Sequence, residues 1–385
     1  MTYKAFQDFY HETGIKHLLL IEYKGALVSP PFATEQCKDY SNVLVYKDGI
    51  VSFIKLDIPP ATSKFNAMAV IDDSLWFVPY GIWDDFNVVV ELLNFEPVYH
   101  KIDKPGKGQF YSIATNGETA FSFPLGYEDT SFGLYIKDQQ LQTIDFTKQG
   151  HTKLHMGTVW CNGKYWSPPR SDNEGYTDVV SYDGTNTQCY NIESGNTWVS
   201  KKYSDFVVKD TVLYALPFGE HLGLNDVLEF DTVTNTYKLH KLDCPDFAKK
   251  FNCMVMLDDV IIGLPYGSKH CKHSHWGVAF DTITKESKAF NIGEELGYGG
   301  KYRFRCGINY NGLAVFIPSG TPNLPIISVD KDLNVNKTYV DDVMLGRPIL
   351  SNGMLTILGY HMKHNTTVLY RFNNDMTSFS KIDIA

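Results

Sequence analysis

Seven short triplets recur along the chain, each built around a large apolar residue. Their first members are Lys64, Gln109, Lys153, Lys202, Lys250, Arg303 and Met344, so five of the seven are Lys or Arg. The central members are Phe65, Phe110, Leu154, Tyr203, Phe251, Phe304 and Leu345. The third members are Asn66, Tyr111, His155, Ser204, Asn252, Arg305 and Gly346. Ammonium and guanidinium groups converging on a concave mouth focus a positive field and attract an anion, such as a phosphate-bearing metabolite, a nucleotide or an acidic glycan. The competing reading assigns no ligand: lysines at strand starts lay their stems over apolar surface and keep their heads in water.

Other chemistry is sparser. His270, Cys271, His273 and His275 make one metal-like cluster, since imidazole and thiolate suit zinc or copper. Their spacing matches no structural zinc motif, which favours a solvated loop. Adjacent carboxylates such as Asp84 with Asp85, or Glu128 with Asp129, are able in principle to do acid–base work. No G-x-S-x-G, phosphate loop or H-E-x-x-H is present, so no nucleophile motif points to an enzyme and no cofactor is expected.

The triplets are positioned by a longer repeat. Each begins 15 residues before an anchor, and the anchors are Pro30, Pro79, Pro124, Pro168, Pro217, Pro265, Pro318 and Gly359. Their spacings are 49, 45, 44, 49, 48, 53 and 41 residues. The first unit is ambiguous by one residue, because Ile15 or Lys16 opens its triplet depending on whether Pro30 or Pro31 is the anchor. Five anchors sit in Pro-x-Gly, where proline stops a strand and glycine allows a sharp exit. Ahead of four anchors stands Asn-Gly, at 116–117, 162–163, 311–312 and 352–353, the strongest short hairpin signal. Four short antiparallel strands per ~50 residues is the unit of a propeller blade. Eight such units predict an all-β protein, a β-propeller of eight blades with four antiparallel strands each; seven is the alternative if the first unit is irregular. The triplets then lie where one blade crosses to the next, on the face that carries the Pro-x-Gly loops.

The blades resemble those of kelch-like propellers. The residues that carry the likeness are the aromatic-Asp-x-x-Thr turns Phe230-Asp231-Thr232-Val233-Thr234 and Phe280-Asp281-Thr282-Ile283-Thr284. The chain departs from that class in ending its second strands with Pro-x-Gly where kelch blades have Gly-Gly, and in lacking a regular tryptophan on the fourth strand. The resemblance implies architecture and no particular function.

Across 385 residues the net charge is −9, with 35 basic and 44 acidic side chains, a balance that repels a long nucleic-acid backbone. No stretch reaches the ~18 apolar residues of a membrane helix. No export signal is visible at the start, and seven scattered cysteines fit reduced thiols, so a cytoplasmic setting is expected. Residues 1–14 read as a segment preceding the propeller, with Tyr3, Phe6 and Tyr10 at helical spacing; residues 15–385 read as one propeller. The functional expectation is a non-enzymatic binding propeller that takes a small anionic ligand or a protein partner on its loop-rich face. The alternatives are a structural subunit of a larger assembly, and an enzyme cleaving a glycan or phosphoester.

Overall fold

The computed structural model describes residues 13–81, 86–103, 109–125, 132–146, 155–170, 177–193, 201–219, 223–266, 275–293, 304–318, 324–340 and 342–384. The N-terminal segment with Tyr3, Phe6 and Tyr10 lies outside them. The described residues form eight sheets of four strands, each running antiparallel in sequence order. The fold is an eight-bladed β-propeller, and the alternative of seven falls because the first unit is a complete sheet from Ile21–Tyr23 to Ile50–Lys55. Among the described residues there is no α-helix, one 3-10 turn at Glu35–Cys37, and no helix long and apolar enough to cross a membrane. Two compact units divide the chain, one carrying blades one to four and the other blades five to eight.

Blade six shows why these residues make strands. Phe251–Leu257, Val260–Pro265, Trp276–Asp281 and Ser287–Asn291 pair in order, and the first three are buried almost throughout. Fourth strands are edges. In Ile50–Lys55, Glu96–Lys101 and Gln140–Asp145 only the second and fifth residues are half-buried. Three of the four Asn-Gly pairs adopt the expected hairpin turn with positive φ at both residues: Asn162 and Gly163 at 48° and 76°, Asn311 and Gly312 at 50° and 76°, Asn352 and Gly353 at 49° and 72°. At Asn116-Gly117 only the glycine is left-handed, because the Asn116 side-chain oxygen accepts from the main-chain N–H of Glu118 and Thr119. Asp231 and Asp281 work in the same way. Each accepts two main-chain N–H groups across its turn, Val233 and Thr234 for one, Ile283 and Thr284 for the other.

The spacing between triplet and anchor is a strand pairing. Phe65 faces Pro79, Phe251 faces Pro265, Phe304 faces Pro318 and Leu345 faces Gly359, while Tyr203 bridges to Pro217. Immediately beyond that pair the register slips in blades two, six, seven and eight, so the third triplet member stands at a bulge. The residue after the proline is latched twice by its main chain. Tyr80 donates to the Lys64 carbonyl at 2.7 Å and accepts from the Gln109 N–H at 2.9 Å; Phe218 does the same with Lys202 and Lys250, at 2.7 and 2.8 Å. Phe32 donates to Lys16 and accepts from Lys64, which settles blade one: its anchor is Pro31 and its triplet opens at Lys16. The glycine of the motif is left-handed at Gly81 and Gly219, with φ of 47° and 56°. Blade one forces Ala33 into that conformation at 58°.

Candidate functional site

The triplets suggested lysines ringing an anion site or, with no ligand, lysines whose heads stay in water, and for three of them the structure shows burial instead. Lys64 and Lys250 are completely buried and Lys202 nearly so. The Lys64 ammonium donates to the carbonyls of Ala61 at 2.8 Å, Tyr40 at 3.2 Å and Lys38, matching its three protons. Lys250 donates to the Phe247 carbonyl at 2.7 Å and to the Asp246 carboxylate at 2.5 Å. Burial lowers the Lys202 pKa. Lys250 thereby ties down the loop that leads into its own blade, while Lys64 joins that loop, at Ala61, to the loop between the second and third strands of blade one, at Lys38 and Tyr40. Lys153 and Arg303 lie outside the described residues.

The remaining triplet residues divide. Gln109, His155, Ser204 and Asn252 are buried. His155 shares a 2.9 Å hydrogen bond with Ser167 through Nδ1. Asn66 is half-buried and donates to the Tyr111 carbonyl at 3.2 Å, a link from blade two to blade three, and the Tyr111 ring meets Tyr80 edge-on at 5.9 Å. Of the metal-like cluster only His275 is described; it is 8% exposed, with its ring against Trp276. His270, Cys271 and His273 lie outside the described residues. Among the described residues no group of three or more His, Cys, Asp or Glu is arranged to hold a metal.

What the structure does bring together lies in blades five to eight, one register beyond the triplets. Two residues after each pairing residue stand Asp205, Cys253, Cys306 and Arg347. Cys253 and Cys306 lie on the first strands of blades six and seven, Phe251–Leu257 and Phe304–Tyr310, and Arg347 on that of blade eight, Val343–Ser351. The first strand of a blade is the innermost of a propeller. Arg305, beside Cys306, and Arg347 both fall within bulged segments, and both are half-buried. Burial pushes the Cys306 thiol up to about 11, against the pull of the Arg347 and Arg305 guanidiniums. Burial also raises the Cys253 thiol, with Cys306 and Asp205 adding to it. A raised thiol pKa leaves less of the reactive thiolate. Two guanidiniums beside one sulfur can instead grip a phosphate or carboxylate through paired N–H groups.

Sequence reasoning placed Arg305 in this group and missed Arg347, Cys306, Cys253 and Asp205. A signal was present: of five arginines in the chain, Arg303, Arg305 and Arg347 fall within two adjacent repeats.

No family model matches the chain, and no curated protein is significantly similar to it in sequence. Among solved structures, virginiamycin B lyase from Staphylococcus aureus is similar with a TM-score of 0.56 at 10% identity, covering 78% of this chain and 94% of that one. BamB from Moraxella catarrhalis also gives 0.56 at 10% identity, over 96% and 94% of the two chains. These likenesses are of fold and establish a β-propeller without singling out the kelch-like class. The scaffold itself is one suited to binding a protein or a ligand.

Proposed function

We propose that this chain is a non-enzymatic binding propeller whose ligand is a small phosphate- or carboxylate-bearing anion, held on the innermost strands of blades seven and eight. The observation that carries this reading is that Arg305 and Arg347 stand in bulged segments of two neighbouring first strands, near enough for both guanidiniums to act on Cys306. Guanidinium pairs suit planar or tetrahedral anions better than lysines do, and they keep their charge when half-buried. Lys64, Lys202 and Lys250 are buried, and Arg305 and Arg347 add half-buried positive charge in a chain of net charge −9.

Thermal unfolding against inorganic phosphate, nucleotides, sugar phosphates and dicarboxylates tests it. A ligand at a hundred times its Kd adds about 2.7 kcal/mol to stability. That gain should vanish in Arg305→Ala and in Arg347→Ala. A gain that survives in the double variant would place the ligand elsewhere.

A protein partner is the second reading. It is favoured by the edge strands of blades one and two, which expose Ile50, Phe53, Val98 and Tyr99, each at least 40% accessible. A stable complex lost on Phe53→Ser with Tyr99→Ser, with no response to any anion, would favour it.

A further inference from the structure

Blade eight carries a second cluster that has no part in the anion site. Its second and third strands, Met354–His361 and Thr366–Phe372, are joined by a tight turn. The turn is closed by the Asn365 N–H on the His361 carbonyl at 2.9 Å, one helical turn that goes no further. Such a turn puts residues three apart on the same side. His361 and His364 accordingly lie ring to ring, with centroids 4.4 Å apart. Asn365 takes a left-handed φ of 55°, and its side chain is held by the Tyr360 hydroxyl, so the turn is fixed before any ligand arrives.

We propose that His361 and His364 bind a late first-row divalent ion, Cu2+ most tightly and Zn2+ less so. Imidazole nitrogen is the donor such ions prefer, and the order follows their general affinity series. The Nδ1 atom of His361 is buried and makes no hydrogen bond, leaving a ring nitrogen uncommitted. Asp342, next to the residue that pairs with His361, and Asp383 add negative charge nearby, while Lys381 opposes and is itself paired with Asp383 at 3.1 Å. With two protein ligands, the other coordination positions go to water.

Titration calorimetry of the full chain with CuCl2, ZnCl2 and MgCl2 decides the matter, with Cu2+ electron paramagnetic resonance to count nitrogens. The expected result is one Cu2+ per chain with hyperfine structure from two imidazoles, weaker Zn2+ binding and no Mg2+ binding. His364→Ala alters an exposed side chain and leaves the fold intact. It should weaken Cu2+ binding by at least about tenfold, since even the outer partners of metal ligands are worth that much. Unchanged Cu2+ affinity in His364→Ala, or loss of binding only when His270 and His273 are replaced, would overturn the proposal.

Discussion

Blades one to four and blades five to eight repeat the same registers yet neutralise their buried polar groups differently. In the first half the partners are mostly neutral. Lys64 is caged by three carbonyls, and His17 is buried with Nδ1 on the Pro30 carbonyl and Nε2 on the Tyr40 hydroxyl. Glu91, only 3% exposed, has His100 at 3.0 Å, and its other oxygen makes no hydrogen bond. In the second half the partners are charged. Lys250 has Asp246, and Glu229, at the same place in its strand as Glu91, has both His240 at 2.9 Å and Lys285 at 2.5 Å. A repeat therefore copies which positions are buried. It does not copy how their charge is met, because the counter-charge comes from loops and turns free to differ.

Replacing the two buried lysines gives the largest contrast. Lys64→Met takes a donor from three carbonyls of two loops, of which only that of Lys38 keeps another, the Ala61 N–H at 3.2 Å, at a cost of about 3 kcal/mol. Lys250→Met leaves one carbonyl and the Asp246 carboxylate, which is 38% exposed and can turn to water. Its cost should be about 1–2 kcal/mol. Urea unfolding of both variants measures the difference, and equal losses would erase the contrast between the halves.

Acid should separate the halves next. Burial lowers the His17 pKa to about 4, with the Pro30 carbonyl only partly opposing it. In the unfolded chain the ring titrates near its ordinary value of about 6.5. Between those values the unfolded chain holds a proton that the folded one does not, so stability rises with pH. About 3 kcal/mol is present above pH ~6.5 and gone by pH ~4. Burial acts to raise the Glu229 pKa, but Lys285 and His240 outweigh it and hold the carboxyl below the usual Glu range. Its contribution is intact wherever an ordinary Glu is ionised and is lost only as pH falls through that lowered value. Stability measured against pH should thus show two windows, and His17→Gln should flatten the upper one alone.

The difference between the halves also marks how far the sequence could be read. Blade count, hairpins and the triplet register follow from Pro-x-Gly and Asn-Gly, whose backbone limits hold in any context. The triplet was visible because Phe65, Phe251 and Phe304 must face their prolines across the sheet, a constraint that fixes spacing. The fate of the lysines was not visible. Whether an ammonium enters water or the protein depends on carbonyls such as those of Lys38 and Tyr40, in the preceding blade and 26 and 24 residues away. Arg347 escaped notice for a related reason: the bulge shifts the register by a residue, and nothing in the local sequence of blade eight announces it.

The smallest predicted effect is the most specific. Lys285 reaches Glu229 from the turn of the next blade and also donates to the Tyr214 hydroxyl at 3.0 Å. It is 31% exposed, so solvent screens the pair, and Lys285→Met should cost about 1 kcal/mol. A double-mutant cycle with Glu229→Gln isolates the coupling, which should shrink in molar salt. The matching cycle in blade two pairs Glu91→Gln with His100→Gln. That pair has no lysine beside it, so its coupling should be smaller and less sensitive to salt. A blade-two coupling as large and as salt-sensitive as that of blade five would mean that the two halves solve the problem of buried charge in the same way.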